Sequence, residues 1–181
     1  MVRANDVCIV GYGCVLPGAS SASEYWDLIC SGKNMFSSID PKRFDPKWYY
    51  SKDSIPGKTY TLECAQIDDS VYQELVSKYG SLTRLELYTL EATAQALSMT
   101  SIPKEKVLLS LGCMNPDPVV TQSIAAQYCA EKMQDACVLD VFKKAYGHSC
   151  SQTESNAVLN TVMDHFGLSG NALIADAACA S

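Results

Sequence analysis

The chain contains no run of apolar residues long enough to cross a bilayer and no block of like charge. Its 14 lysine and arginine residues are outnumbered by 20 aspartate and glutamate residues. The basic residues are scattered and not interleaved with aromatic side chains, which disfavours a nucleic-acid surface. The N-terminus leads directly into an apolar segment and lacks the long apolar stretch of a signal peptide. These absences predict a cytoplasmic globular protein that binds neither a membrane nor nucleic acid.

Histidine is scarce and paired cysteine motifs are missing. The 181 residues include two histidines and nine cysteines, an odd number without any Cys-x-x-Cys spacing. This pattern argues against a disulfide framework and against a structural zinc site, so we expect no metal and no cofactor held by this segment. Most cysteines stand among apolar residues, where cysteine is a small core residue, and eight of the nine are interpreted in that way.

The sequence instead shows short apolar strands that alternate with amphipathic helices. The predicted strands are Val7–Gly11, Val107–Gly112 and Asn171–Asp176, with half of a small hairpin at Lys58–Cys64. Capping boxes and closing glycines predict helices over residues 21–30, 69–79, 83–97 and 151–166, with further helix over roughly 117–146. Residues 33–60 are predicted to be an ordered excursion whose clustered aromatic side chains are buried. No internal repeat or domain boundary is visible.

Strands that alternate with helices predict an α/β fold with a parallel sheet and right-handed crossovers. Such sheets place their chemistry at the carboxyl ends of the strands. Gly13, Gly112 and Cys179 all lie at or just beyond such ends. Three strands are few for a parallel sheet, which normally has more strands and is covered by helices on both faces. The chain is therefore interpreted as part of a domain.

Cys179 is the candidate catalytic residue. It follows a short apolar strand and has small neighbours, the composition that a nucleophile elbow requires. A helix that began just after Cys179 would direct its N–H groups at the sulfur and favour the thiolate. Asp176 could orient the nucleophile or cap that helix.

Three other motifs are weaker. The glycines of residues 11–18 suggest a dinucleotide-binding loop, but Leu16 occupies the third glycine position and Pro17 obstructs an immediate helix. His148 and Cys150 lie in a polar turn, and adjacency in sequence does not make a catalytic dyad. His165 fits a cation or boundary residue at the end of a helix.

Seven segments, taken in order, resemble the N-terminal part of a β-ketoacyl synthase domain of the polyketide and fatty acid synthase type. They are residues 7–18, 25–33, 40–45, 48–50, 56–60, 168–170 and 175–181. The closing segment, Ala175-Asp-Ala-Ala-Cys-Ala-Ser181, differs from the family's commoner Thr-Ala-Cys-Ser-Ser but keeps the small residues of the turn. The segment before Thr83 is also shortened. These departures are typical of a divergent branch, such as a polyunsaturated fatty acid or polyketide assembly line.

The resemblance implies a thiolase-like fold, of which residues 1–181 would be an incomplete N-terminal portion. It implies that Cys179 accepts an acyl group from a phosphopantetheine thioester on an acyl carrier protein or coenzyme A. Decarboxylative condensation with a malonyl-type extender would follow, supported by two histidines and a lysine downstream of Ser181. The isolated chain is therefore expected to be inactive. The resemblance also implies a homodimer in which the strand before Cys179 pairs with the same strand of the second copy. It further implies that this segment needs the remainder of the ketosynthase domain to fold stably.

Two other classes of protein remain open. A non-catalytic ketosynthase-like partner, in the manner of a chain-length factor, would share the fold, although retention of Cys179 argues against it. A structural half-domain would use the fold without chemistry.

Overall fold

The computed structural model describes residues 7–41, 45–113 and 155–175. The described helices are α1 (Ala22–Ser31), α2 (Pro46–Tyr49), α3 (Asp69–Tyr79), α4 (Arg84–Ser98) and α5 (Ser155–Phe166), with a 3₁₀ turn at Lys104–Lys106. The described strands are β1 (Phe36–Ser38), β2 (Glu63–Ala65), β3 (Leu109–Gly112) and β4 (Ala172–Ala175). The helix predicted over roughly 117–146 and the capping box at 151–154 lie outside the described residues.

Helix α1 begins and ends where its sequence predicts. The Ser21 hydroxyl accepts a hydrogen bond from the Glu24 amide at 3.3 Å. The Glu24 carboxylate accepts from the Ser20 amide at 2.6 Å, one residue earlier than in a standard capping box. Gly32 ends the helix with a φ of 64°, a left-handed conformation that favours glycine. The local sequence therefore determines both ends of α1.

The predicted capping box of α4 is present in full. The Thr83 amide donates to the Glu86 carboxylate at 2.9 Å, and the Glu86 amide donates to the Thr83 hydroxyl at 3.3 Å. Two free N–H groups at the helix start are thereby satisfied. Helix α3 ends at Gly80, as predicted, with the Gly80 amide bonded to the Val76 carbonyl at 2.8 Å.

The described core lies between α4 and the helices beside it. Leu87 and Leu90 of α4 and Val162 of α5 are fully buried, and α4 packs against both α3 and α5. Glu86 is also buried there, and its second carboxylate oxygen accepts a hydrogen bond from the Thr161 hydroxyl at 2.7 Å. Because its carboxyl group has hydrogen-bond partners at Thr83 and on α5, this buried polar side chain fixes α4 against α5.

Strands β3 and β4 form the predicted parallel pair. Their register aligns Leu109 with Ala172 and Gly112 with Ala175. Strand β3 is less buried than predicted, since Leu108 beside it is 59% exposed. Helix α5 lies between these strands in sequence and contacts both of them. This is the strand–helix–strand arrangement on which the α/β prediction depends.

The prediction of a first strand at Val7–Gly11 is wrong. Residues 7–11 form no strand, and Val7 is completely exposed. No backbone hydrogen bond joins this segment to another described segment. Gly11 instead approaches α4 so closely that an added Cβ would collide with the Ala96 carbonyl oxygen. An apolar run becomes a strand only where a partner edge receives it, and among the described strands none pairs with this run.

The excursion over residues 33–60 also differs from its prediction. The half-hairpin predicted at Lys58–Cys64 is the three-residue strand β2, which pairs antiparallel with β1, so that Phe36 lies opposite Ala65. The described aromatic side chains are exposed and not buried, with Trp48 at 73% and Tyr60 at 74%. Order here comes from backbone hydrogen bonds, such as that from the Ile39 amide to the Leu62 carbonyl at 2.7 Å.

Gly170 allows the turn before β4 to approach the segment before β3. A Cβ at this position would collide with the Val107 carbonyl oxygen and lie 3.3 Å from the Glu105 carbonyl oxygen. We expect Gly170→Ala to lower the free energy of unfolding by about 1–3 kcal/mol, since the backbone must shift to admit a methyl group. Thermal or urea unfolding checks this. Ser169→Ala, an exposed neighbour, is the control and should change little; an equal loss in both variants would contradict the steric explanation.

Candidate functional site

The carboxyl ends of β3 and β4 lie at one edge of the sheet. The Leu109 amide donates to the Asn171 carbonyl at 2.9 Å at one end of the pair. The Cys113 amide donates to the Ala175 carbonyl at 3.2 Å at the other end. The parallel pairing therefore extends beyond the strands at both ends, and the Cys113–Ala175 bond lies at the carboxyl end, where α/β sheets place their chemistry. Ala175 is four residues before Cys179.

The sequence-predicted nucleophile Cys179 lies outside the described residues, as do Asp176, His148 and Cys150. The described structure supplies the strand that precedes Cys179 and the position of that strand beside β3. It brings Gly112 next to Ala175, so one of the predicted strand-end glycines lies at the edge to which β4 leads.

The described cysteines differ in exposure. Cys113, directly after β3, is buried as expected for a core cysteine, whereas Cys8 and Cys30 are exposed. The interpretation of these two as core residues is wrong, because residues 7–10 are exposed and α1 contains no buried residue. The thiol of Cys14 is half-buried, and burial, followed by the charge of Glu24, raises its pKa. A raised pKa disfavours the thiolate, so Cys14 is poorly suited to nucleophilic chemistry.

The loop after residue 11 is anchored on α4, a contact that sequence reasoning missed. At Gly13 an added Cβ would collide with the Ala92 carbonyl oxygen and lie 2.6 Å from the Gln95 Cβ. The Cys14 amide donates to the Gln95 side-chain oxygen at 3.1 Å, and the Gln95 amide nitrogen donates to the Ser20 carbonyl at 2.7 Å. Gly13 is thus a close-packing position. The next helix begins only at Ala22, which agrees with the rejection of a dinucleotide-binding loop.

An open cavity of about 450 Å³ lies between this loop and α4. Its walls combine small apolar groups with hydroxyls, contributed by Gly13, Val15, Tyr88, Thr89, Ala92, Thr93, Ala96 and Leu97. None of the described residues that line the cavity is a carboxylate, a lysine or a histidine. These walls offer packing surface and hydroxyl groups that can form hydrogen bonds.

His165 and the acidic residues form no metal site in the described part of the chain. His165 lies in the last turn of α5, as predicted, with its ring edge-to-face against Tyr79 at 5.2 Å between centroids. Across residues 7–41, 45–113 and 155–175, no cluster of three or more potential metal ligands occurs. Among the same residues, no helix is long and apolar enough to span a membrane.

Glu91 is the centre of a polar network between α3 and α4. Its carboxylate accepts hydrogen bonds from Lys78 at 2.6 Å, from the Tyr79 hydroxyl at 2.8 Å and from Gln95 at 3.3 Å. Partial burial opposes ionisation, but these donors outweigh it and hold the pKa of Glu91 below its usual value. Through Gln95, the network also reaches the loop that carries Gly13.

The lowered pKa of Glu91 predicts an acid-sensitive contribution to stability. A carboxyl group whose pKa is lower in the folded state stabilises fully above its unfolded pKa, and the contribution disappears as pH falls through the folded value. Glu91→Gln should therefore lose about 0.5 kcal/mol near neutral pH, the scale of a solvent-screened pair, and less in acid. Thermal unfolding from pH 7 to about pH 3 measures this. Glu74→Gln, exposed on α3, is the control; identical pH profiles for both variants would contradict the prediction.

Comparison with known proteins identifies the family. The sequence profile of the β-ketoacyl synthase N-terminal domain matches residues 4–181. The chain belongs to the β-ketoacyl synthase family. The resemblance seen in the sequence segments is therefore confirmed, because the match runs through almost the whole chain.

The curated relatives of this ketosynthase segment are large polyketide synthases. It is 23% identical over 186 residues to the non-reducing polyketide synthase dbaI of Emericella nidulans, covering 98% of this chain and 6% of that protein. It is 26% identical over 193 residues to the highly reducing polyketide synthase bet1 of Neocamarosporium betae, covering 97% of this chain and 6% of that protein. A shorter match, 44% identical over 41 residues, covers 23% of this chain and 1% of polyketide synthase PksL of Bacillus subtilis. The chain thus spans a small fraction of these relatives.

Solved structures confirm the fold. An oxazolomycin ketosynthase domain of Streptomyces albus matches 92% of this chain and 28% of its own length, with a TM-score of 0.60 and 18% identity. A β-ketoacyl synthase from Burkholderia phymatum matches 91% of this chain and 38% of its own length, with a TM-score of 0.55 and 15% identity. The segment has the N-terminal part of a thiolase-like α/β fold, as predicted.

Proposed function

We propose that this chain is the N-terminal segment of a β-ketoacyl-[acyl carrier protein] synthase in which Cys179 is the acyl-accepting nucleophile. The parent protein would act in polyketide or polyunsaturated fatty acid biosynthesis. The observation that carries the proposal is the family match over residues 4–181, which includes Cys179 and the strand that precedes it.

The geometry before Cys179 supports this role. Strand β4 is fixed by its parallel pairing with β3, and the Cys113–Ala175 hydrogen bond holds its carboxyl end. A chain that leaves this edge and turns at small residues would present Cys179 above the sheet, as in a nucleophile elbow. The N–H groups around the turn would favour the thiolate and stabilise an oxyanion.

The proposed reaction has two halves. The Cys179 thiolate attacks the carbonyl carbon of a pantetheine thioester, forms a new carbon–sulfur bond and expels the pantetheine thiolate, which is then protonated. A malonyl-type extender next loses carbon dioxide, and the resulting enolate attacks the acyl–Cys179 carbonyl. A carbon–carbon bond forms, and the Cys179 thiolate leaves. In the family, two histidines and a lysine beyond residue 181 polarise the extender, and we propose the same division of labour here.

The phosphopantetheine group would be a substrate carrier and not a resident cofactor. We therefore propose an acyl carrier protein as the principal partner, consistent with relatives that are polyketide synthases many times longer than this chain. A homodimer, paired through the outer edge of β4, completes the proposal. In the described part of the chain, β4 pairs with β3 on one side.

Mass spectrometry of the intact parent synthase tests the catalytic role. After incubation with an octanoyl-pantetheine thioester, we expect one acyl group per chain, located on Cys179 by peptide mapping. Iodoacetamide treatment should block this acylation, and the buried Cys113 is an internal control that should stay unmodified. Absence of acylation in the folded parent protein would instead support a non-catalytic, chain-length-factor-like partner.

A further inference from the structure

The contact between α4 and α5 contains a polar pair beside its apolar side chains. Leu87 and Leu90 of α4 and Val162 of α5 are fully buried. Glu86 and Thr161 stand next to them in sequence, their side-chain oxygens lie 2.7 Å apart, and Glu86 is only 8% exposed. Because replacing both partners of a buried hydrogen bond by apolar groups of the same shape can be nearly neutral, stability alone does not explain this pair.

The geometry of the pair defines one position of α5 on α4. The second carboxyl oxygen of Glu86 accepts hydrogen bonds from the Thr83 amide at 2.9 Å and from the Thr83 hydroxyl at 2.8 Å. The carboxyl group is therefore held at the start of α4 and cannot follow Thr161 if α5 moves. Apolar contacts are non-directional and tolerate a small slide of one helix on the other, whereas a hydrogen bond weakens steeply as its angle closes. The Glu86–Thr161 bond thus sets the register of the two helices.

The connection from α5 to β4, residues 167–171, is short and held at several points. The Leu168 amide donates to the Met163 carbonyl in the last turn of α5 at 2.9 Å, and the Leu168 side chain is buried. The Ser169 amide donates to the Lys104 carbonyl at 3.4 Å. Helix α5 also contacts β3 and β4 directly. A displacement of α5 is therefore transmitted to β4 and is not absorbed by a loose loop.

We propose that Glu86 and Thr161 are positioning residues for the nucleophile Cys179. This inference rests on the proposed ketosynthase function and deepens it by adding two residues, distant in sequence, that act on the same site. Their hydrogen bond holds α5, α5 and its connection hold β4, and β4 ends at Ala175, four residues before Cys179. The pair acts through the strand and not on the substrate. Such action is effective because a displacement of about 1 Å at the reacting atom can cost about a hundredfold in rate.

Acylation of Cys179 in the intact parent synthase is the first test. Thr161→Val keeps the shape of the side chain and removes the hydroxyl. We expect the maximal rate of octanoyl transfer from octanoyl-pantetheine to fall about tenfold, with the half-saturating donor concentration unchanged, because positioning changes the reacting geometry and not donor binding. Thr161→Ser keeps the hydroxyl and should retain the wild-type rate.

Two control variants separate positioning from a general loss of stability. Thr89→Val removes a hydroxyl that also donates at 2.7 Å, but its acceptor is the Leu85 carbonyl of the same helix. Leu75→Ala opens a cavity at the buried position of α3 and should lower the melting temperature. Both controls should retain the wild-type acylation rate when assayed below the melting transition. A loss of rate in either control equal to that of Thr161→Val would overturn the proposal.

The pH dependence of Cys179 alkylation by iodoacetamide is the second test, and it needs no acyl transfer. A sulfur displaced from the N–H groups of the turn loses part of the stabilisation of its thiolate. The alkylation profile of Thr161→Val should therefore shift to higher pH by about half a unit. Thr161→Ser and both controls should retain the wild-type profile, which a merely destabilised protein would also retain.

A double-mutant cycle tests whether Glu86 and Thr161 act through their shared bond. Glu86→Leu with Thr161→Val should acylate no more slowly than Glu86→Leu alone, because each change removes the same hydrogen bond. Losses of rate that multiply in the double variant would show independent effects and would contradict the pairing.

The outcomes separate the positioning proposal from the ketosynthase proposal. If the wild-type synthase accepts no octanoyl group, the ketosynthase proposal fails, and the alkylation profile alone decides the role of Thr161. If the wild-type protein is acylated and Thr161→Val matches the controls in both rate and profile, the positioning proposal alone fails. A change in either readout that is absent from the controls and from Thr161→Ser supports it.

Discussion

Cys179→Ala is expected to abolish acylation of the intact synthase and to lower its condensation rate by at least about a thousandfold. Alanine has no nucleophilic atom, so neither the acyl–enzyme bond nor the subsequent carbon–carbon bond formation can proceed through residue 179. The change removes only the sulfur atom of a residue whose sequence neighbours, Ala178 and Ala180, are already alanine, so the fold should persist. Intact-mass measurement and product formation from an octanoyl donor and a malonyl extender measure the two effects.

A second cysteine provides the control for that experiment. Cys113 is buried at the end of β3, where its amide bonds to Ala175. Cys113→Ala should cost some stability through lost packing and leave acylation in place at temperatures below the melting transition. Octanoylation that persists in the Cys179→Ala protein and moves to Cys113 would refute Cys179 as the nucleophile.

Helices α1, α3 and α4 carry local signals, which explains why the sequence predicted them, whereas the four-residue helix α2 was not predicted. The box Thr83-Arg-Leu-Glu86 contains the groups that start α4, and Gly32 supplies the left-handed conformation that ends α1. Such signals act within four residues and need no knowledge of the rest of the fold. The bounds of α3 were also predicted to the residue, although its N-cap residue Asp68 makes no capping hydrogen bond through its side chain.

Strands depend on partners elsewhere in the chain, and this is where prediction failed. The run Val7–Gly11 has the composition of a buried strand, yet it lies exposed because no described edge receives it. Strand β2 pairs with β1 some 25 residues earlier, which alternation along 58–64 could not reveal. The predicted parallel pair succeeded because two apolar runs flank a helix, and that connection strongly restricts the topology.

In the candidate site, too, local features could be predicted from the sequence and long-range contacts could not. The small residues around Cys179 are a local signal, so the nucleophile could be nominated from sequence. The hydrogen bond between Gln95 and the Cys14 amide joins residues 81 positions apart, and that between Thr161 and Glu86 joins residues 75 positions apart. Polar side chains on amphipathic helices give no sign of such long-range partners, so these contacts became visible only in the folded structure.

The isolated 181-residue chain is expected not to melt cooperatively at high temperature. The described structure leaves large apolar side chains uncovered in residues 7–11 and at the β3–β4 pair, including Val7, Ile9, Leu108 and Leu173. Parallel sheets are stable when helices cover both faces, and an uncovered apolar edge strand promotes aggregation. Calorimetry and circular dichroism of the chain alone should therefore show a broad, concentration-dependent transition. A reversible transition above roughly 60 °C, near the top of the usual range for mesophilic domains, would contradict this expectation.

A charged substitution on β4 distinguishes aggregation of the isolated chain from low thermodynamic stability. Leu173 lies on β4 and is 45% exposed, so Leu173→Lys places a charge at the proposed dimer edge without opening a buried cavity. The variant should reduce aggregation of the isolated chain and shift the intact synthase from dimer to monomer in sedimentation experiments. Thr61→Lys, in the exposed segment before β2, is a control that should change neither property. An intact Leu173→Lys protein that stays dimeric would show that the dimer does not depend on this edge, since a lysine there disfavours pairing with a second copy.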